Sequence, residues 1–364
     1  MRPAKSTSLN PEQILHGINK LLFHRLPYEV SAVKKKFVAF LLCLTLAAQP
    51  VLAAEDYIKW VDFDVSYSAM KRALDLDIQS RDSERPVSWI DLLALAATWT
   101  GSGKFSVAAV NKAAKALTDD RSLQEQLGNQ YKYYAYYHEA YTAVLGGLVG
   151  SYAIEKTDEQ GRTYWAPAYG LKAFSPIAAG YWYSHYEDFG ASRGYGFARK
   201  HLGNDLMGSL GTPIVAVESG TVEAMGWNQY GGWRIGIRSD DTKRYYYYAH
   251  LQKDHPFVDG LAEGDHVQAG DVIGFMGRTG YSTKENVNNI DAVHLHFGLE
   301  LVFNESQKEC NSEIWVDVYD IVCLLEQHRS SVRKNPDTGC WERIYPYRDL
   351  DVEEAEARNS GDHS

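Results

Sequence analysis

Between Ala292 and Leu301 the chain reads Ala-Val-His-Leu-His-Phe-Gly-Leu-Glu-Leu. Two titratable rings, two residues apart inside an apolar run, leave few options. Alternation of period two predicts a strand with His294 and His296 on one face and Leu295 and Phe297 on the other. An imidazole turned into an apolar core would lack a polar partner. One face of this strand therefore meets a core and the other a groove.

Two further stretches share the same chemistry, His201-Leu-Gly-Asn-Asp205 and Tyr248-Ala-His250-Leu251. Together the three offer four imidazoles and a carboxylate, the inventory of a catalytic zinc site with its proton-transfer groups. Zinc takes His nitrogen and carboxylate oxygen, and a catalytic site keeps a position open beside three protein ligands. His201 and Asp205 would share a face on a helix, but Gly203, Gly208 and Gly211 predict a loop or the start of a strand. The bland alternative is a strand-rich core with scattered histidines. It leaves unexplained why two histidines face the same way on an apolar strand.

The arrangement resembles the lysostaphin-type (LytM-like) zinc endopeptidases, which cut peptide cross-links in bacterial cell walls. Phe189-Gly-Ala-Ser-Arg193, Tyr195-Gly196 and Arg199-Lys-His-Leu-Gly-Asn-Asp205 look like that family's approach to its first metal motif. Gly211-Thr-Pro-Ile-Val-Ala216 and Ser219-Gly220-Thr-Val222 look like its next hairpin. Tyr248-Ala-His-Leu251, Gly264-Asp265, Val267-Gln-Ala-Gly270, Ile273-Gly274 and Gly277-Arg-Thr-Gly-Tyr-Ser282 continue in the family's order. The resemblance implies one Zn2+ per chain held by His201, Asp205 and His296, with His250 and His294 beside the activated water. A metal polarises a scissile carbonyl and acidifies water. An imidazole titrates near neutral pH and moves the protons. This reading makes His294 the general base and His250 the group steadying the oxyanion, although the sequence itself does not separate the two. Tyrosines 245 to 248 read as a strand with one packed and one exposed face.

Two departures stand out. Thr283-Lys-Glu-Asn-Val-Asn-Asn-Ile-Asp-Ala-Val293 intervenes where the family runs almost directly into its H-x-H strand, and it reads as an exposed loop at the groove rim. Gly298 stands where the family commonly has Glu.

The net charge of −10 argues against nucleic acid as a partner and against simple adhesion to an anionic surface. Lys34-Lys-Lys36, the apolar run Phe37 to Ala48 and the small residues before Ala54 read as a cleaved export signal. The run is short for a membrane span, so membrane contact is expected only in transit. Residues 1–32 are unusual for such a signal, which suggests a true start near Val33. Of the four cysteines, Cys310, Cys323 and Cys340 lie beyond the signal. A Cys310–Cys340 bridge is one expectation, with Cys323 an apolar filler on a helix.

The expected architecture is α+β. A signal region (1–53) precedes an all-helical domain (54–160) and a connecting segment (161–188). An antiparallel β-rich half-barrel or sandwich metallopeptidase domain follows (189–303), then a C-terminal helical extension (304–348) and an acidic disordered tail (349–364). Ser88 and Ser106 read as helix caps. A third helix from Ser122 carries Tyr131, Tyr134, Tyr137, His138 and Tyr141 at helical spacing and runs toward Val149, its stripe a packing face. Ser312 reads as the cap of an amphipathic helix over Glu313 to Glu326.

The function expected is an exported zinc metalloendopeptidase acting on peptidoglycan peptides, outside the cytoplasm or in the cell envelope of a bacterium. A non-catalytic wall-binding or hydrolase-activating relative of the same fold is the alternative. An intracellular phosphocarrier built on a similar sandwich is the other rival, disfavoured by the export signal and by Asp205. Latency through the helical region or the 283–293 loop is a further expectation.

Overall fold

The computed structural model describes residues 57–194, 198–308 and 312–361. The export signal therefore lies outside the described residues, as does Cys310 of the expected bridge. Tyr57–Ser364 forms one compact unit, within which the expected boundaries at 160, 188, 303 and 348 fall.

Five helices come first: Tyr67–Ser80, Trp89–Thr100, Val107–Asp119, Arg121–Gln130 and Tyr134–Leu145. Ser66 and Ser88 accept amides of the first turns, from Ala69 N and Ile90 N, while Ser106 makes no such bond. The helix Trp89–Thr100 is the centre of this layer, with Leu92 through Ala97 all at 0% exposure. A helix apolar on every side belongs inside. The continuous helix expected from Ser122 toward Val149 is instead two helices and the start of a strand. Gly146 and Gly147 end the second helix, and Val149 begins β1 (Val149–Thr157). Tyr134, Tyr137 and Tyr141 are buried, so the aromatic stripe packs inward.

β1 pairs with β2 (Thr163–Leu171) in a hairpin. Its turn is closed by the Asp158 carboxylate, which accepts the amides of Gln160 and Arg162 at 2.9 Å each. The end of the expected all-helical domain and the start of the expected connecting segment are thus two paired strands joined by an Asx-type turn. The remaining strands follow in order. They are β3 (Tyr183–Ser184), β4 (Ser192–Gly194), β5 (Ala198–Lys200), β6 (Asn204–Gly208), β7 (Pro213–Val215), β8 (Gly220–Asn228), β9 (Gly232–Ser239) and β10 (Arg244–Ala249). Then come β11 (His266–Val267), β12 (Val272–Phe275), β13 (His294–Leu301), β14 (Ile314–Val316), β15 (Val332–Lys334), β16 (Trp341–Arg343) and β17 (Tyr347–Asp349). The main sheet has eight strands in the order β11-β8-β9-β10-β13-β6-β3, with β14 beside the far end of β13. All its pairings are antiparallel.

One face of this sheet supplies core: Ile235, Ile237, Tyr246, Tyr248, Leu295, Phe297 and Leu299 are buried and continuous with the helical core. The opposite face carries His294 and His296, as period two requires. The helix expected over Glu313–Glu326 is shorter, Tyr319–Leu325, preceded by β14. Ile314 and Val316 are β-branched and find an unpaired edge of β13. The acidic tail is also ordered where it begins. Asp349 is buried against Lys172 Nζ at 2.8 Å, and a helix follows over Leu350–Gly361. A buried ammonium needs that carboxylate.

Candidate metal centre

Each candidate side chain is delivered by a different local device. The β4–β5 hairpin continues beyond its ends, His201 N donating to Ala191 O at 2.9 Å and Gly190 N to His201 O at 2.7 Å. This sets His201 at the hairpin's foot. The chain then turns through Gly203 into β6, where Asp205 stands directly opposite His296 of β13. Gly203 is required by close approach: a Cβ there would lie 2.6 Å from Phe297 O and 2.7 Å from His296 Cε1. His250 directly follows β10 in a left-handed conformation, φ 62°, which turns its ring away from the strand path. Its Nδ1–H donates to Thr279 O at 2.9 Å. The Thr279 turn is seated by Gly232, whose Cβ would meet Thr279 C at 2.4 Å.

The three imidazole and carboxylate atoms form a tight triangle. His201 Nε2 lies 2.9 Å from Asp205 Oδ1 and 2.9 Å from His296 Nδ1, and the third edge is 3.0 Å. Among the described residues, these three are the group of His, Cys, Asp and Glu side chains whose ligand atoms converge as an ion would need. Edges of this length suit one ion with zinc–ligand bonds of about 2.0–2.2 Å. The protonation pattern agrees. His201 Nδ1 faces the Asp188 carboxylate at 3.1 Å and Asp188 O at 3.3 Å, both acceptors, so Nδ1 carries the proton and Nε2 a lone pair. That lone pair faces the Asp205 carboxylate, which only accepts. Such a contact is repulsive unless a cation or proton sits between. Burial, partly offset by Asp205, lowers the His296 pKa from the usual histidine value, the direction that favours the neutral ring ligation requires.

His250 and His294 flank the triangle. Their rings lie 4.8 Å apart, and His294 Nε2 is 3.7 Å from Asp205 Oδ1. His294 Nδ1 donates to Ala292 O at 3.0 Å, so both rings are fixed as the tautomer with a lone pair on Nε2. Burial, reinforced by the charges of His294 and His296, drives the His250 pKa well below the usual histidine value.

The five residues singled out in the sequence thus share one groove of about 780 Å3, which Tyr245, Tyr247, Arg199, Arg234, Glu313 and Trp315 also line. Tyr246 and Tyr248 turn to the core, while Tyr245 and Tyr247 lie on the groove side. The 283–293 loop stays beside the groove residue Tyr281, whose carbonyl accepts from Asn289 Nδ2 at 2.7 Å, while Asn286 Oδ1 accepts from Trp233 Nε1 and from Asp254 N at 2.9 and 3.0 Å. Sequence reasoning missed Asp188, which orients His201, and gave no role to the groove arginines Arg199 and Arg234. Asp188 directly precedes the Phe189–Arg193 stretch, but no spacing marks it.

Residues 199–309 match Peptidase family M23. Over 117 residues, 32% of this chain, the protein is 40% identical to the L-Ala--D-Glu endopeptidase of Bacillus subtilis. Over 136 residues, 35% of this chain, it is 35% identical to lysostaphin of Staphylococcus simulans. The matched parts cover 34% and 24% of those two relatives. The solved catalytic domain of lysostaphin from Staphylococcus simulans aligns with 39% of this chain and 92% of its own, at 31% identity and a TM-score of 0.30. The chain carries an M23 domain of the lysostaphin-type (LytM-like) kind.

Proposed function

We propose that the protein is an exported zinc endopeptidase that hydrolyses peptide bonds in peptidoglycan stems or cross-bridges. The observation that carries this reading is the 2.9–3.0 Å triangle of His201, Asp205 and His296, flanked by two lone-pair-bearing histidines. Those three residues would hold one zinc ion, and zinc, when bound, polarises a scissile carbonyl and acidifies water. The M23 match supports the substrate class.

The chain's own groups then divide the proton work. His294, fixed by the Ala292 carbonyl, points Nε2 toward Asp205 and takes the proton of the attacking water. The imidazolium it becomes delivers that proton to the leaving amine. His250 presents the same tautomer. As a neutral ring it accepts a hydrogen bond, so it steadies an oxyanion only once protonated. This narrows the role read for it from sequence. Asp188 keeps His201 in the ligating tautomer. A groove floored by strands suits an extended peptide. Export rests on the signal read at residues 34–53.

Mass spectrometry of muropeptides before and after incubation with the full chain, with and without chelator, tests the reading. New amine and carboxyl ends that depend on zinc and vanish in His296→Ala are expected. Unchanged muropeptides, or undiminished cleavage by that variant, would refute it.

A further inference from the structure

The protein is acidic, with a net charge of −10, yet the groove beside its metal centre gathers Arg193, Arg199, Lys200 and Arg234. Arg193 is engaged, its Nη2 bonded to Asp188 and lying 3.4 Å from Asp205. Two others are not neutralised. Arg199 donates to the Tyr281 hydroxyl and stacks on the Tyr230 and Tyr281 rings, which fixes its plane, while its buried Nε has no partner. Arg234 precedes Ile235 on β9, so it shares the groove face with Gly236. Its Nη1 is buried with no hydrogen-bond partner. Among the described residues, no carboxylate makes an ion pair with either guanidinium.

The wall beside them is aromatic. The Tyr245 ring lies over Gly236, where a Cβ would come 1.8 Å from its hydroxyl, and the Tyr247 hydroxyl closes on Gly231 in the same way. Tyr247 meets the His296 ring edge to face at 5.9 Å and feels the positive charge of both Arg234 and Arg199. The two cations therefore sit within electrostatic reach of the reacting centre. Besides Asp205, the groove is lined by the Glu313 carboxylate, which accepts from Trp315 Nε1 at 2.8 Å.

A buried guanidinium donor without an acceptor is costly and persists where a ligand supplies the acceptor. Arginine's planar fork matches a carboxylate in two parallel hydrogen bonds. We propose that Arg234, assisted by Arg199, is a specificity residue that binds a free carboxylate on the substrate peptide close to the bond presented to the metal. The inference rests on the endopeptidase reading and narrows its substrates to acidic peptides. The groove selects against the same peptides when that carboxyl is amidated, since a carboxamide brings no charge and aims N–H groups at N–H groups.

The probe is N-acetyl-L-Ala–γ-D-Glu–L-Lys–D-Ala amide, with the α-carboxylate of its D-Glu either free or converted to carboxamide. Binding to the metal-free full chain is measured by calorimetry, which removes any direct carboxylate–metal contact. The free-carboxylate peptide is expected to bind about tenfold tighter than its amidated twin. Arg234→Gln should abolish most of that ratio by weakening only the charged peptide, and Arg234→Lys should restore part of it. Equal binding of the two peptides to the native chain, or equal weakening of both by Arg234→Gln, would overturn the proposal. Cleavage by the zinc-loaded chain is scored separately. A binding ratio without cleavage of either peptide or of wall material refutes the endopeptidase reading and leaves the carboxylate site standing.

Discussion

Two buried polar clusters lie on the same sheet and differ in how their charges are balanced. Around Arg244, which is fully buried, every donor is used. Nε and Nη2 bond Glu218 at 2.7 and 3.0 Å, Nη2 also bonds Asp241, and Nη1 bonds the Thr142 and Ala143 carbonyls at a helix C-terminus. Tyr246 completes the Glu218 carboxylate at 2.7 Å. This cluster closes on itself and ties the helical layer to the sheet. Around Asp205 the balance fails in both directions. The His201 lone pair and the His296 Nδ1 crowd one carboxylate oxygen at 2.9–3.0 Å, while Arg234 Nη1 is buried with no acceptor among the described residues. A self-satisfied cluster holds a fold together; one with surplus acceptors and surplus donors is built for what enters it.

Substitutions in the two clusters should therefore fail in different ways. The largest effect belongs to the groove. His294→Ala should lower kcat by about 10²–10⁴-fold while stoichiometric zinc is retained. Loss of zinc in that variant would make His294 a ligand rather than a base. In the closed cluster, Arg244→Met should cost about 3–5 kcal/mol of stability by leaving Glu218 buried without its cation. Denaturant unfolding reads this, and an unchanged midpoint would mean that Glu218 finds another partner. Smaller again is Asp188→Asn, which removes the carboxylate behind His201. It should weaken zinc binding about 10–100-fold in competition with a chelator, without unfolding the chain.

The smallest effect lies outside both clusters. Glu300, on the groove side of β13, is pushed up from an ordinary 4.5 to about 7, chiefly by burial and then by Glu313, against the opposing charges of Arg238 and Lys308. Folding therefore favours its protonated form. That preference is fully present below pH 4.5 and is lost as pH rises through about 7, where the folded chain must bury the ionised carboxylate. Glu300→Gln escapes this loss. Its melting temperature should exceed the native value by about 2–4 °C at pH 8 and by nearly nothing at pH 4.5. Equal differences at both pH values would contradict the assignment.

The groove side of the site was readable because its key signals are local. Two histidines at period two declare their shared face, and Gly203 marks the turn between His201 and Asp205. What escaped depends on contacts distant in sequence or on edges that only a folded sheet presents. Lys172 meets Asp349 across 177 positions, which orders the start of an apparently solvated acidic tail. Val149 looks like the continuation of a helix until β1 pairs with β2 on one edge and β17 on the other. Ile314 and Val316 join β13 rather than a helix because its edge is free. Asp188 meets His201 only through the closure of the β4–β5 hairpin. The groove arginines stand out by what they lack, and a missing partner is visible only when the surroundings are in place.

The central claim is that His201, Asp205 and His296 jointly bind one divalent ion. Zinc titration of the metal-free full chain by calorimetry, repeated on His201→Ala, Asp205→Ala and His296→Ala with folding checked by circular dichroism, tests it most directly. The account predicts one tight zinc per native chain and at least about a hundredfold weaker binding in each folded variant. Undiminished, stoichiometric zinc binding by any of the three would contradict it.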